Sequence, residues 1–299
     1  MRAWSSARWS LDLPPGHRFP MGKYRMVRDG MVAAGVLTVD QIYEPERVSR
    51  ESLRLVHETG YVDEVIEGRL SATAERRLGF PWSPLLPERS LRTVQGTMES
   101  ARDALAQGAG INLAGGTHHA FPGHGEGYCV FNDVAVALRT LQREGSMVKA
   151  AIIDLDVHQG NGTAKIFEDD PDIFTFSVHG AKNYPFKKER SHLDIEVEDG
   201  TDDGYYLGLL DQHLVAVLDR AGPELVVYIA GADPYAQDRL GRLKLSIDGL
   251  RERDRRVLRA CWSRRIPALT VLGGGYAADL NDVVTIHTNT VRELMALYG

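Results

Sequence analysis

The stretch that most constrains this fold is Ala150-Ala151-Ile152-Ile153-Asp154-Leu155-Asp156-Val157-His158-Gln159-Gly160-Asn161-Gly162. Its opening apolar run is too short for a helix and reads as a parallel strand buried on both faces. Alternate side chains of a strand share a face, so Asp154, Asp156 and His158 are expected to point the same way. Where the strand loosens, all three can turn toward one point. Open α/β sheets bind their ligands there, outside the carboxyl ends of the strands. A neutral imidazole with carboxylates is also a normal ligand set for zinc or a similar divalent metal. For one His or one Asp a polar, Gly-rich loop is the simpler reading. Three ionisable groups on one face at a strand end favour a site.

The same grammar recurs along the chain. The spacing predicts a helix over 23–34, a short strand at Leu37–Ile42, helical pieces through 50–78, and a long helix with Val94, Met98, Ala101 and Leu105 on its core stripe. Ile111–Ala114 reads as a strand ending in Gly115-Gly116-Thr117-His118-His119, and Asn132 as the N-cap of the next helix. After the opening strand come a helix at 162–168, strands at Ile173–Val178, Leu193–Val197, Glu224–Ala230 and Pro267–Leu272, and helices around 206–217, 247–261 and at the C-terminus. Residues 1–21 read as irregular, and the loop Gly16–Arg25 by itself reads as surface. Strand, loop and helix in repetition imply one α/β domain over 1–299, an open, mainly parallel sheet with helices on both faces.

Composition narrows the function classes. The 299 residues carry a net charge of −6, against the basic footprint of a general nucleic-acid binder. Cys129 and Cys261 cannot make a disulfide framework, and no apolar run approaches the ~18–20 residues of a membrane span. No secretory leader is visible at the N-terminus, so a cytoplasmic protein that binds neither nucleic acid nor membrane is expected. The sequence carries no mark of oligomeric state.

The polar residues hardest to explain structurally all follow apolar strands: His118-His119, then Asp154, Asp156 and His158, then Asp233, then Tyr276. In a parallel sheet those ends share one edge, so four distant segments converge on one crevice. Each alone has a plain reading: solvated histidines, a turn at Asp233-Pro234, a tight bend at Gly273-Gly274-Gly275-Tyr276. Together they fit metal-assisted amide hydrolysis. Asp156, His158 and Asp233 would hold the metal with a position left open. One histidine would take a proton from the attacking water, and Tyr276 would meet the oxyanion. Asp154 would orient one histidine through its ring N–H and Asn161 the other.

Gly115-Gly116-Thr117-His118-His119, Gly127-Tyr128-Cys129-Val130-Phe131-Asn132-Asp133, Asp154 through Gly162, Ala230-Gly231-Ala232-Asp233 and Leu272-Gly273-Gly274-Gly275-Tyr276 resemble the histone deacetylase family, in order and over nearly the whole chain. Gln159-Gly160-Asn161-Gly162 and Asp238-Arg239-Leu240-Gly241 look most like its class IV branch and bacterial relatives. The resemblance implies an arginase/deacetylase-type fold and a zinc-dependent lysine deacetylase acting on an acyl-lysine protein or peptide. It places Asp156, His158 and Asp233 on the zinc ligands, His118 and His119 on the tandem histidines with the second as base, and Tyr276 on the oxyanion tyrosine. It also implies Tyr128 and Tyr184 as tunnel walls, Gly127 as acceptor of the substrate N–H, Gly274 at the substrate site and Lys23 at the tunnel floor. A potassium ion on main-chain oxygens at Asp154, Asp156, His158, Ser177 and Val178 is implied as well.

Two positions depart from better-known members. Asn161 stands where class I enzymes carry a carboxylate, and an amide stabilises a charged imidazole less, so a lowered histidine pKa is expected. The loop Gly79–Pro84 offers no carboxylate to clamp a peptide backbone, which leaves small or differently acylated substrates open. Acetylpolyamines or other small acylated amines are one alternative, and the acidic net charge would favour such cations. A catalytically silent metal-binding module and an arginase-like two-metal hydrolase are the others.

Overall fold

Residues 1–299 are described by a computed structural model. The strands are β1 (Ala3–Trp4), β2 (Ile42–Tyr43), β3 (Ala109–Asn112), β4 (Ala150–Asp154), β5 (Ile173–Gly180), β6 (Leu193–Val197), β7 (Leu225–Ile229) and β8 (Ala268–Val271). They form one eight-stranded sheet in the order β2-β1-β3-β8-β7-β4-β5-β6. Every pairing in it is parallel.

The apolar runs follow from burial on both faces. Ala150 and Ile152 of β4 join Leu225, Val227 and Ile229 of β7 against α5 (Leu85–Gln107) and α6 (Asp133–Arg143). Ala151, Ile153, Val226 and Tyr228 face the other way. They meet α1 (Lys23–Ala33), α8 (Asp203–Ala221), α9 (Ile247–Ser263) and α10 (Leu280–Tyr298). Each fully buried aliphatic side chain contributes ~1.5–3 kcal/mol. The short helices α2 (Arg50–Leu53), α3 (Thr59–Glu67) and α4 (Ala72–Leu78) build a third apolar cluster with Phe19, Phe80 and Phe131 beside the sheet's carboxyl edge. The remaining helix, α7 (Asn161–Ile166), starts inside the Ala150–Gly162 stretch. No helix is long and apolar enough to cross a membrane.

The differences from expectation are local. The strand expected at Leu37–Ile42 is mostly a 3₁₀ turn, Val39–Gln41, because Thr38 and Gln41 cap each other in a capping box. Only Ile42 and Tyr43 remain extended. Ala3–Trp4, read as irregular, becomes β1 because β2 and β3 offer it ladders on both sides. The Gly16–Arg25 loop is not simply surface: Phe19, Met21 and Lys23 are buried. Asn132 does cap α6, accepting from Ala135 N at 3.0 Å.

Candidate active site

The sheet's register decides which loops meet. Asn112 pairs with Val271, Val271 with Ile229, and Ile229 with Asp154, so β3, β8, β7 and β4 end in one row. The segments that follow them carry His118-His119, Tyr276, Asp233 and Asp156/His158, distant in sequence and adjacent in space. They line a cavity of about 580 Å³. β4 itself stops at Asp154, so Asp156 and His158 reach the crevice from the bend beyond the strand.

Asp156, His158 and Asp233 are buried, and one potential ligand atom from each lies within 4.8 Å of the other two. His158 Nδ1 sits 2.9 Å from Asp156 Oδ1 and 3.2 Å from Asp233 Oδ2. Asp233 Oδ2 makes no hydrogen bond although it is fully enclosed. Burial, and then the Asp156 charge, push the Asp233 carboxyl up to about 7. Two carboxylates and an imidazole without water are costly unless a cation shares them. The backbone is shaped to leave them room. A Cβ on Gly274, at φ +59°, would lie 2.4 Å from Asp233 Oδ2, and one on Gly231 would lie 2.5 Å from the Asp156 Cα. The donor set and its space therefore fit a divalent metal ion.

The tandem histidines stand beside this cluster with ring centroids 4.2 Å apart. His118 Nδ1 lies 2.6 Å from Asp154 Oδ2, and His119 Nδ1 lies 2.7 Å from Asn161 Oδ1. A side chain that no sequence pattern singles out sets the second pair. The Glu126 carboxylate accepts from Asn161 Nδ2 at 2.6 Å and from the Tyr184 hydroxyl at 2.7 Å. A carboxylate only accepts, so the amide must turn its nitrogen to Glu126 and its oxygen to His119. His119 Nδ1 must then donate, which leaves Nε2 with the free lone pair. Burial works to raise the Glu126 pKa, yet His124, Asn161 and Tyr184 hold it down to about 2. Only the folded return of its loop toward α7 reveals Glu126.

The two rings titrate in opposite directions. Burial disfavours charge on His118, but Asp154 and then Asp156 lift it to about 9. Burial lowers His119 well below the ordinary histidine value, with the charges of His118 and His158 adding to the fall. The Asn161 contact works the other way. Burial, not the amide, is thus the main cause of the lowered value.

Aromatic walls enclose the entrance. Tyr128 holds φ at +67°, a conformation costing ~1–3 kcal/mol that persists where surroundings fix it. Its amide donates to Leu78 O at 2.8 Å, and its ring packs 5.0 Å from Phe19 and 5.3 Å from Phe80. Tyr184 stands against His119 with centroids 5.1 Å apart, and a Cβ on Gly127 would press on both residues. The Tyr276 ring lies 6.2 Å from Tyr128, and burial, then the Asp233 charge, raise its phenol well above 10. It stays protonated, able to donate.

Lys23 is buried beneath the site and donates to the carbonyls of Gly274 and Gly275, its Nζ 4.6 Å from the Tyr276 ring centroid. The Asp238–Gly241 turn also holds Tyr276: Asp238 Oδ2 accepts its amide at 2.6 Å and Arg239 Nε donates to its carbonyl at 3.0 Å. A second buried support carries no mark in the sequence. Arg253 of α9 donates to Leu155 O at 3.1 Å and Gly231 O at 2.7 Å, tying together two of the loops that carry the metal-type cluster. Asp154, at the end of β4, and Ser177, within β5, are register partners with Val178 next, so three of the five main-chain positions named for potassium are neighbours.

The histone deacetylase domain matches residues 17–291. An uncharacterized protein of Picosynechococcus sp. is 45% identical over 286 residues, covering 96% of this chain and 95% of its own length. Histone deacetylase 2 of Arabidopsis thaliana is 33% identical over 272 residues, covering 87% and 70%. The acetoin utilization protein AcuC of Staphylococcus aureus is 25% identical over 258 residues, covering 79% and 66%. Among solved structures, the HDA15 HD domain superposes with a TM-score of 0.83 at 22% identity, covering 99% of this chain and 89% of that one. A histone deacetylase homologue from Aquifex aeolicus gives 0.83 at 20% identity, covering 99% and 84%. An all-parallel sheet that gathers these four segments at one edge, with a family match across nearly its whole length, places this chain in the histone deacetylase family.

Proposed function

We propose that the chain is a zinc-dependent amidohydrolase that removes acetyl or longer acyl groups from the Nε-amine of lysine. Family membership supports deacetylase-type hydrolysis. The finer reading rests on one observation: Asp156, His158 and Asp233 converge in the same cavity as two oppositely tuned histidines and a protonated tyrosine. Those three residues would hold the zinc ion, which when bound polarises the amide carbonyl and acidifies water.

The chain's own groups supply the rest. Neutral His119, with Nδ1 committed to Asn161, takes the water proton at Nε2. His118, charged at neutral pH, keeps positive charge beside the reacting amide and has a proton for the leaving nitrogen. Tyr276 donates to the developing oxyanion, a contact worth ~3–4 kcal/mol in comparable sites. Tyr128 and Tyr184 flank the acyl-lysine stem, Gly127 accepts the substrate N–H, Gly274 leaves room at the floor, and Lys23 pins the Gly274–Gly275 backbone. Main-chain oxygens at Asp154, Asp156, His158, Ser177 and Val178 would take a potassium ion as structural support, a reading favoured by the pairing of Asp154 with Ser177.

A panel of acetyl- and longer-acyl-lysine peptides and acetylpolyamines, incubated with zinc and with or without chelator, tests this reading. Hydrolysis of acyl-lysine that stops with chelator and returns with zinc is expected. Turnover indifferent to chelation, or confined to the polyamines, contradicts it.

A further inference from the structure

The protein is acidic, but the mouth of its cavity is not. Arg18, Arg76, Arg77, Lys182, Arg239 and Arg242 line the entrance and are exposed. The only carboxylates among the lining residues are Asp156 and Asp233, buried at the floor in the metal-type cluster. Lys182 has Glu198 at 3.2 Å and Arg242 has Asp199 at 3.3 Å. No carboxylate lies within ion-pair distance of the other four cations: Arg76 bonds only Thr73, Arg239 serves the Tyr276 carbonyl, and Arg18 and Arg77 make no side-chain bond.

Cations in the last turn of α4 have an ordinary explanation, since they complement the helix dipole. That explanation covers Arg76 and Arg77 but not the rest. Arg18 comes from the N-terminal loop, Lys182 from the segment after β5, and Arg239 and Arg242 from the Asp238–Gly241 turn and its edge. Separate segments thus bring one sign of charge to one opening. The charges reach both walls, for Arg18 acts on Tyr128 and Arg77 on Tyr184. A cleft lined by one sign focuses its field on an incoming ligand whatever the net charge of the whole protein.

We propose that the preferred substrate is an acyl-lysine flanked by acidic residues, that is, an acidic peptide segment. This rests on the deacylase reading above and names its substrate class. With the acyl-lysine stem in the tunnel, neighbouring residues of an extended peptide advance roughly 3.3 Å each. Several therefore lie within the ~8–10 Å over which exposed charges interact at ordinary salt. Carboxylates on those residues meet unpartnered guanidinium groups; lysines there, or the free amines of a polyamine, meet repulsion. The exposed cations sit at the rim, and the one cation at the floor, Lys23, is committed to the carbonyls of Gly274 and Gly275, so the negative charge belongs on the flanks of the lysine rather than on the acyl group.

The test uses the zinc-loaded full chain and acetyl-lysine peptides of equal length with acidic, neutral or basic flanks, plus a neutral-flanked peptide whose acyl group ends in a carboxylate. kcat/KM is expected to fall from acidic to neutral to basic, by about tenfold across the series at low salt, mainly through KM, with the spread shrinking as salt rises. Charge reversal by Arg76→Glu with Arg77→Glu leaves the rim only weakly positive, so it is expected to flatten the order and to make the basic peptide react faster than with the parent chain. That gain cannot come from misfolding. Equal rates on all flanks overturn the rim assignment and leave the deacylase reading standing. Preference for the carboxylate-ended acyl group overturns the assignment of charge to the flanks. No hydrolysis of any peptide overturns the deacylase reading, and the rim assignment with it.

Discussion

His118 and His119 are consecutive residues of one loop, both buried, with ring centroids 4.2 Å apart, yet their surroundings divide them. His118 leans on the Asp154 carboxylate and is held charged, with a pKa of about 9. His119 leans on the Asn161 amide and is held neutral. A pair of titratable groups driven apart in this way divides proton acceptance from proton donation at one pH. The carboxylate on the His119 side is present but one step removed, as Glu126 behind Asn161. That placement fixes the tautomer without placing a full charge against the ring.

The largest expected effect removes the neutral member. His119→Ala should lower kcat by roughly 10²–10⁴-fold, the usual contribution of a positioned base, with metal content and KM retained. A loss under about tenfold, with a larger one in His118→Ala, reverses the two roles.

The next effect exchanges the supports. With His119 as the proposed base, activity requires its unprotonated form, so the rate is expected to fall as pH drops through its pKa, on a limb well below 6.5 in the parent chain. Asn161→Asp with Glu126→Gln places the carboxylate against Nδ1 and stabilises the charged ring. The limb should then move up by roughly 1–3 pH units. The smallest effect is Glu126→Gln alone, which keeps an oxygen for Asn161 and Tyr184 and removes only the distant charge. The limb should move down by less than about one unit, with the plateau rate kept. A limb that stays fixed in both variants means that its titration does not belong to His119.

The same residues show what is legible in the sequence. The strand-end rule needs only apolar runs and polar termini, so the sheet and the segments at its edge follow from the order of the residues. His118, Asp154, Asp156, His158, Asp233 and Tyr276 sit on those segments, and Asn161 starts the short helix after one of them. Glu126 lies in a Gly-rich loop with no periodicity, and its contacts depend on how that loop folds back over α7. Arg253 occupies a helix position whose charge suggests solvent, although it is fully buried. The rim is the sharpest case: a net charge of −6 suggests attraction of cationic amines, while the fold gathers exposed cations at the mouth of the cavity that holds the tandem histidines. β1 and the turn at Val39–Gln41 escape sequence patterning because segments of two or three residues owe their conformation to neighbours and not to their own periodicity.

The proposed chemistry is a metal-dependent amide hydrolysis at Asp156, His158 and Asp233. The most direct test counts the zinc bound per chain while measuring acetate released from an acetyl-lysine peptide at graded zinc occupancy. One zinc per chain, with acetate release proportional to occupancy, is the predicted result. Two metals per chain, or one zinc bound with no acetate released, would contradict it.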